Sequence, residues 1–208
     1  AGHYMVEGIL SSLIKLLKTG EGSLVETSLM EALLDFQFEV LTTYLNDGNR
    51  KPERSSYNNA HAYLSAPYGI YKTKDSFIAI AMTPVPGLGE LLGLKSIIDF
   101  TDQKEWFTKR DEIKRLIGDW LINETTQHWL GILQPADIWC AEVLEWDKMI
   151  ENEGFKVLDM FQRIKRSDGL DIETLRCPIR INNEIFKSNI AAPRVGQHTD
   201  EIIKEYAL

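Results

Sequence analysis

The side chains best suited to move a proton near neutral pH are the four histidines of this chain, because the imidazole pKa is about 6.5. One of them, His3, lies between Gly2 and Tyr4, just before a strongly helical segment. His3 could serve there as an acid or base, and a surface or helix-capping role is an equal alternative. The four histidines are His3, His61, His128 and His198.

The other histidines stand in different surroundings. His61 lies in a long polar segment and is a candidate for contact with a bound molecule. His128 follows a helical pattern next to Trp129, so we expect it to be exposed or to pack. His198 precedes the last helical segment, and we expect it to help fix the start of that helix.

Metal binding is not expected from this sequence. No two histidines have the spacing of metal ligands, and Cys140 and Cys177 lack the spacing of a metal site or a redox pair. We therefore predict no metal and two buried, reduced thiols in a cytoplasmic protein.

Composition indicates a globular protein of 208 residues with 44% apolar and 26% charged residues. The net charge of −8 argues against a nucleic-acid partner, because phosphate backbones bind cationic surfaces. The most apolar segment, Met5–Leu17, is interrupted by Glu7 and Lys15, so no membrane span is predicted. An anionic ligand can still bind a local cluster of backbone N–H groups.

Helical spacing of apolar residues predicts a first helix over Met5–Leu17 that ends at Gly20. The β-branched segment Leu24–Thr27 is interpreted as a strand. Ser28 and Glu31 have the spacing of a capping box, which predicts a helix from Leu29 to about Leu45.

The segment Arg50–Ala66 is polar and has neither a helical nor a strand period, so we interpret it as a linker. Beyond it the pattern predicts a mixed α and β structure. The predicted elements are a hairpin of Tyr68–Tyr71 and Phe77–Ala81, helices over Glu90–Leu92, Asp102–Trp120, Thr126–Leu133, Glu142–Glu151 and Thr199–Tyr206, and strands over Ile138–Cys140, Phe155–Ile164 and Leu175–Ile181.

Three ordered stretches resemble the family III CoA-transferases, which include formyl-CoA transferase, carnitine CoA-transferase and the alpha-methylacyl-CoA racemases. Gly8–Leu29 is similar to a family helix, its Thr-Gly-x-Gly turn and the following strand-to-helix step. Ala66–Ala81 is similar to the hairpin that opens the small domain. Ala192–Glu201 is similar to the C-terminal motif of that family. Each motif alone is weak, and their order and spacing carry the resemblance.

The resemblance implies an α/β fold that combines the small domain with the C-terminal elements of a large Rossmann-like domain. On that pattern residues 1–45 belong to the large domain, 46–66 form a linker, 67–190 build the small domain and 191–208 return to the large domain. It also implies an interlocked homodimer, or pairing with an N-terminal half.

The resemblance further implies coenzyme A as a substrate and an Asp nucleophile upstream of Ala1, so that the isolated chain is inactive. That Asp would attack an acyl-CoA, form an anhydride and then an aspartyl-CoA thioester, and pass the CoA to a second carboxylic acid. The amides of Gly2, His3 and Tyr4 could face the acyl group. Alternatively, Gly2 only permits a tight turn.

One departure from the family pattern affects the expected lid. Formyl-CoA transferases carry a glycine-rich loop where this chain has Ala62–Ser65. Either His61, Tyr63 or Ser65 touches the acyl group here, or the loop is structural. Transfer between unknown acids is therefore the leading hypothesis, and a racemase or a non-catalytic partner subunit is the alternative.

Overall fold

The computed structural model describes residues 1–58 and 61–207 of the chain. Contacts within the chain divide it into two compact units, Ala1–Val143 and Leu144–Leu208. Both units mix helices and strands, as the sequence pattern predicts.

The first unit contains seven helices and one antiparallel sheet among its described residues. The sheet has the strand order β1-β2-β3, with Ile70 opposite Ala79 and Ala79 opposite Ala141. The elements are α1 (Gly2–Thr19), α2 (Leu29–Phe36), α3 (Phe38–Asn46), β1 (Gly69–Lys72), β2 (Phe77–Ile80), α4 (Val85–Leu92), a 3₁₀ turn (Lys95–Ile97), α5 (Gln103–Thr108), α6 (Arg110–Leu121), α7 (Thr126–Leu133) and β3 (Cys140–Glu142).

Local signals position the first helices. α1 ends where Gly20 adopts a φ of 74° and donates its N–H to the carbonyl of Leu16. The predicted capping box forms at the start of α2, where Ser28 and Glu31 exchange hydrogen bonds. The predicted long helix is broken at Gln37, whose N–H bonds the carbonyl of Leu34 instead of continuing the α-helical pattern.

The strand predicted over Leu24–Thr27 is not present. A strand needs a hydrogen-bonded neighbour, and none of the described residues pairs with this segment. Val25 instead packs against α1 at Gly8, where a Cβ atom would lie 2.5 Å from the Val25 Cγ1. Gly8 thus permits the close approach of this segment to the helix.

The core of the first unit lies between the inner face of the sheet and α4, α6 and α7. Tyr71 and Ile78 project from the sheet into this core, and Ile113 and Ile117 project from α6; all four are fully buried. Each such burial contributes roughly 1.5–3 kcal/mol of stabilisation. Trp129 donates its indole N–H to the carbonyl of Leu121 at 2.7 Å and so ties α7 to α6.

The tip of the hairpin is also tied to α7. The Asp75 carboxylate accepts the backbone N–H of Thr126 at 2.8 Å, and Thr73 and Thr126 share a buried hydroxyl–hydroxyl bond of 2.6 Å. The Thr126 N–H holds the pKa of Asp75 below its usual value. This stabilisation is therefore present at neutral pH and is lost as the pH falls through the folded-state pKa.

Three predicted boundaries of the first unit are wrong. α4 begins at Val85 and not at Glu90, because the proline at position 86 fits the first helical turn. The helix predicted through Trp120 is divided at Lys109 into α5 and α6. β3 begins at Cys140, later than predicted, because its register follows its hydrogen bonds to β2.

The second unit keeps the predicted last helix, Thr199–Tyr206, but its other boundaries differ from the prediction. Phe155 lies in a short helix that is capped by Asn152, and not in a strand. Its elements are α8 (Trp146–Glu151), α9 (Glu153–Lys156), β4 (Phe161–Lys165), β5 (Asp171–Leu175), β6 (Arg180–Ile181), β7 (Glu184–Ile185) and α10 (Thr199–Tyr206).

Lys114 is a buried cation on the side of α6 that faces the linker. Its ammonium donates to the hydroxyl of Ser55 at 2.9 Å, and both residues are buried. Burial lowers the pKa of Lys114, because the charged form loses its hydration. The pair connects the linker to the core.

We expect Ser55→Ala to lower the free energy of unfolding by about 1–3 kcal/mol, because the Lys114 ammonium loses its hydroxyl partner. The double variant Ser55→Ala with Lys114→Met should recover most of this loss, since both polar partners are then replaced. Urea unfolding followed by circular dichroism measures these changes. Ser11→Ala, at an exposed position of α1, is the control and should stay within about 0.5 kcal/mol. Equal stability of wild type and Ser55→Ala would contradict this account.

Candidate functional site

The N-terminal turn of α1 brings three of the predicted site residues together. The first intrahelical bond runs from the Met5 N–H to the Ala1 carbonyl at 3.0 Å, so the amides of Gly2, His3 and Tyr4 precede the hydrogen-bonded ladder. No side chain among the described residues caps this end, and no acidic residue lies in the first turn. These amides lie at the positive end of an 18-residue helix.

Tyr4 is connected to α2. Its hydroxyl donates to the Asp35 carboxylate across a recess of about 350 Å³ that Val25 and Thr27 also line. The hydrogen bond to Asp35 raises the pKa of Tyr4 above its ordinary value. The phenol therefore stays protonated and donates to the carboxylate at neutral pH.

The linker is bound along α6 by its backbone. Arg110 donates to the carbonyl of Glu53 at 2.5 Å and to that of Ala62 at 2.8 Å. Asp111 accepts the Ser56 hydroxyl at 2.6 Å and the Tyr57 N–H at 3.3 Å. These contacts hold the described part of the linker in one position although it has no regular secondary structure.

A glycine on α6 also allows the linker to pack closely against this helix. A Cβ atom at Gly118 would lie 2.7 Å from the Tyr57 hydroxyl oxygen, so any larger residue would displace the tyrosine ring. The sequence pattern alone does not indicate this requirement, because Gly118 lies inside an otherwise ordinary helical stretch.

His61 and Ser65 lie at the end of this linker and are both half-buried. The His61 Nδ1 accepts the Tyr63 N–H at 3.2 Å, and the other ring nitrogen, Nε2, lies 3.8 Å from the Glu39 carboxylate on α3. The hydroxyl of Tyr63 is buried and has no hydrogen-bond partner among the described residues. The Ser65 carbonyl accepts the Tyr68 N–H at 3.2 Å.

A recess of about 850 Å³ opens beside His61 on the outer face of the sheet. Arg54 and Trp139 line it together with residues of all three strands. This volume lies within the usual range for a small-molecule site. The sequence pattern does not identify Arg54 or Trp139 as site residues. Trp139 lies within the predicted strand Ile138–Cys140, and a large aromatic side chain in so short a strand is a signal that could have indicated it.

The predicted site residues therefore fall into two groups: Gly2, His3 and Tyr4 in the first turn of α1, and His61 and Ser65 at the end of the linker. Within residues 1–58 and 61–207, no hydrogen bond or ion pair joins the first turn of α1 to the loop that carries His61 and Ser65.

His128 is exposed on α7 with its ring 4.9 Å from that of Trp129, as predicted. His198 precedes α10, but its side chain does not cap the helix.

The two cysteines differ in their burial. Cys140 is half-buried and burial raises its pKa, whereas Cys177 is exposed, so the prediction of two buried thiols is wrong for Cys177. The described part of the chain contains no cluster of three or more potential metal-ligating side chains. Across the same residues, no helix has both the length and the apolarity that crossing a bilayer requires.

Comparison with known proteins gives a consistent family. The model of CoA-transferase family III matches residues 1–199. The (R)-2-hydroxy-4-methylpentanoate CoA-transferase of Clostridioides difficile is 24% identical over 98% of this chain and 52% of its own length. Human alpha-methylacyl-CoA racemase is 25% identical over 96% of this chain and 51% of its own length. The chain thus spans about half the length of these relatives.

Solved structures share the fold. A CAIB/BAIF family protein from Brucella suis superimposes with a TM-score of 0.69 at 21% identity, covering 98% of this chain and 53% of its own. A Mycobacterium tuberculosis protein in an orthorhombic crystal form gives a TM-score of 0.72 at 19% identity, with coverages of 95% and 52%. The mixed α/β chain matches the C-terminal part of that fold, which confirms the predicted class.

Asp35→Asn should lower the pKa of Tyr4 toward its ordinary value of 10.0, because the hydrogen bond to a charged acceptor is removed. An NMR pH titration of tyrosine labelled at Cζ measures the change, and Tyr4→Phe identifies the signal. Asp47→Asn, which alters a carboxylate paired with Arg50, serves as the control. The same titration midpoint for the Tyr4 hydroxyl in wild type and in Asp35→Asn would show that Asp35 does not raise the pKa of Tyr4.

Proposed function

The chain belongs to CoA-transferase family III, and we propose that it is the C-terminal portion of an enzyme that moves coenzyme A between carboxylic acids. The observation that carries the proposal is the family match over residues 1–199, which includes the first two sequence stretches that resemble the family and residues 192–199 of the third. Relatives whose names specify CoA transfer, including the Clostridioides difficile enzyme, support transfer as the reaction class.

The proposed chemistry uses an enzyme carboxylate as nucleophile. An Asp oxygen attacks the thioester carbonyl, the carbon–sulfur bond breaks, and an anhydride and the CoA thiolate are formed. The thiolate then attacks the aspartyl carbonyl, which gives an aspartyl-CoA thioester and releases the first acid. The acceptor acid reverses these steps. We assign that Asp to the part of the enzyme that this chain does not span.

We assign the first turn of α1 to the stabilisation of developing negative charge. Each addition to a carbonyl places a negative charge on an oxygen, and fixed N–H donors lower the energy of that state. The uncapped amides of Gly2, His3 and Tyr4 are such donors, and the helix dipole has the right sign. The imidazole of His3 lies in the same turn and could exchange a proton with the acid that leaves.

We propose that the loop that carries His61 and Ser65 covers the acyl group and shields it from water. Both residues are half-buried, and His61 lines the recess on the sheet. An anhydride must be shielded from water, and Tyr63 and Leu64 supply bulk where formyl-CoA transferases have glycines. The contacts of the linker with α6 favour a fixed cover over one that moves freely.

The proposed enzyme is a cytoplasmic interlocked homodimer, or a pair of this chain with an N-terminal half. Residues 1–45 and 191–208 would belong to its large domain, 46–66 to the linker and 67–190 to the small domain. Exposed apolar side chains support a covering partner, since Leu17 on α1 and Phe36 on α2 are each 87% exposed. A role as a non-catalytic partner subunit would use the same surfaces.

The second candidate reaction is racemisation of an acyl-CoA. The similarity to human alpha-methylacyl-CoA racemase favours it. A racemase removes a proton next to the thioester carbonyl and returns it to the opposite face, with no change in the thioester itself. The two reactions can therefore be distinguished experimentally. CoA transfer exchanges the acid that is bound to coenzyme A, whereas racemisation exchanges the α-proton with solvent.

The complete enzyme that contains this chain should transfer label from a radioactive free acid into acyl-CoA, with the thioester pool unchanged in total amount. The same samples in D₂O should show no deuterium at the α-carbon. Incorporation of deuterium without transfer of label would favour the racemase. Absence of both reactions over a broad panel of acids would contradict the proposed function.

His61→Ala should lower kcat/KM of the complete enzyme at least about tenfold, because loss of one polar contact of about 1.5–3 kcal/mol has that effect. His128→Ala, which removes an exposed imidazole from α7, should remain within about twofold of wild type. Steady-state assays of CoA transfer measure both variants. Equal effects of the two substitutions would remove His61 from the site.

A further inference from the structure

The outer face of the sheet in the first unit is largely apolar, and Lys72 at the end of β1 is the charged residue that β1 and β2 place there. Antiparallel sheets that cover a core on one face usually carry polar residues on the other. Here Tyr71 and Ile78 point into the core, whereas Ile70 and Ala79 lie on the opposite face. Ile70 is 49% exposed there and Trp139 is 78% exposed.

Strand register gives this outer face its shape. Ile70, Ala79 and Ala141 lie opposite one another across β1, β2 and β3. Ala81 donates its N–H to the Trp139 carbonyl at 2.8 Å and so continues the surface toward the linker. Three alanines therefore form a floor, and Ile70 and Trp139 rise on its two sides. We call this surface the alanine trough.

The alanine trough has a polar end. Arg54 and His61, both from the linker, line the same recess of about 850 Å³ as the apolar residues of the sheet. No carboxylate among the described residues forms an ion pair with Arg54. A cation without a counter-ion beside an apolar floor is complementary to a carboxylate with an apolar tail.

We propose that the alanine trough binds the hydrophobic tail of a carboxylic acid substrate, with the acid's carboxyl group toward Arg54. The proposal rests on the proposed function and names the substrate class of that site: acids with an aromatic or branched aliphatic tail. The alanines at positions 79 and 141 are then specificity-determining residues, because their size sets the depth of the trough.

A covering protein segment is the other occupant that an apolar face could have. Such a segment would need apolar side chains over the trough and, in addition, a carboxylate or carbonyl placed at the Arg54 guanidinium. A free acid uses both features at once. The recess of about 850 Å³ also exceeds what a two-carbon acid can fill, so small acids leave the apolar floor in contact with water.

The test compares 4-phenylbutanoate with acetate as acceptors for the complete enzyme. We expect kcat/KM to favour 4-phenylbutanoate at least about 100-fold, since even single methylenes give 10- to 200-fold discrimination in apolar pockets. Ala141→Leu, at an exposed edge-strand position, should reduce this ratio at least tenfold. Ala136→Leu, in an exposed turn outside the recess, is the matched control and should leave the ratio unchanged.

Binding is measured as well, so that the site and the reaction are tested separately. Titration calorimetry of the complete enzyme with 4-phenylbutanoate should show at least tenfold weaker binding in Ala141→Leu and in Arg54→Gln, with circular dichroism spectra unchanged. If Ala141→Leu misfolds, Ala79→Val makes the same test from the central strand. Loss of CoA transfer with this binding pattern intact would overturn the proposed function and support the site. Equal binding by wild type, Ala141→Leu and Arg54→Gln, or a preference for acetate, would overturn the site.

Discussion

The arrangement of the first unit depends on how a polar linker satisfies its backbone hydrogen bonds without regular secondary structure. α6 supplies the partners: Arg110 binds two linker carbonyls, and Asp111 binds a hydroxyl and an N–H. Backbone groups that enter neither a helix nor a sheet need other hydrogen-bond partners, and this set of contacts supplies them at one position of the chain. His61 reaches the outer face of the sheet as a consequence.

α6 therefore serves two surfaces. Ile113 and Ile117 bury the apolar face of the helix against the sheet, while Lys114 is buried toward the linker and bonds Ser55. A buried lysine weakens the fold unless its partner is present, so the pair specifies the linker position more than it adds stability. The core and the candidate site thus share one helix.

The elements that sequence reasoning predicted well are those with local signals. Ser28 and Glu31 form their capping box, and the boundaries of the helix over Thr126–Leu133 agree with the prediction because Thr125 caps it. The segment Leu24–Thr27 has strand-forming residues but no strand beside it. Its conformation depends on contacts that a local pattern does not contain.

The candidate site was predictable only in part for the same reason. His61 was found from its residue type, but Arg54 and the alanine trough became visible only after strand register placed them on one face. The packing of the linker on α6 was also not predictable from the sequence, because Ser55 and Lys114, which form a hydrogen bond, are 59 positions apart in the chain. Pairings over such distances follow from packing and not from periodicity.

The most direct test of this account is a crystal structure of the complete enzyme with an acyl-CoA bound. The account predicts the thioester oxygen within about 3.2 Å of an amide of Gly2, His3 or Tyr4, and the acyl chain beside His61. An acyl chain bound away from both groups, with a protein segment packed over the sheet face, would contradict it.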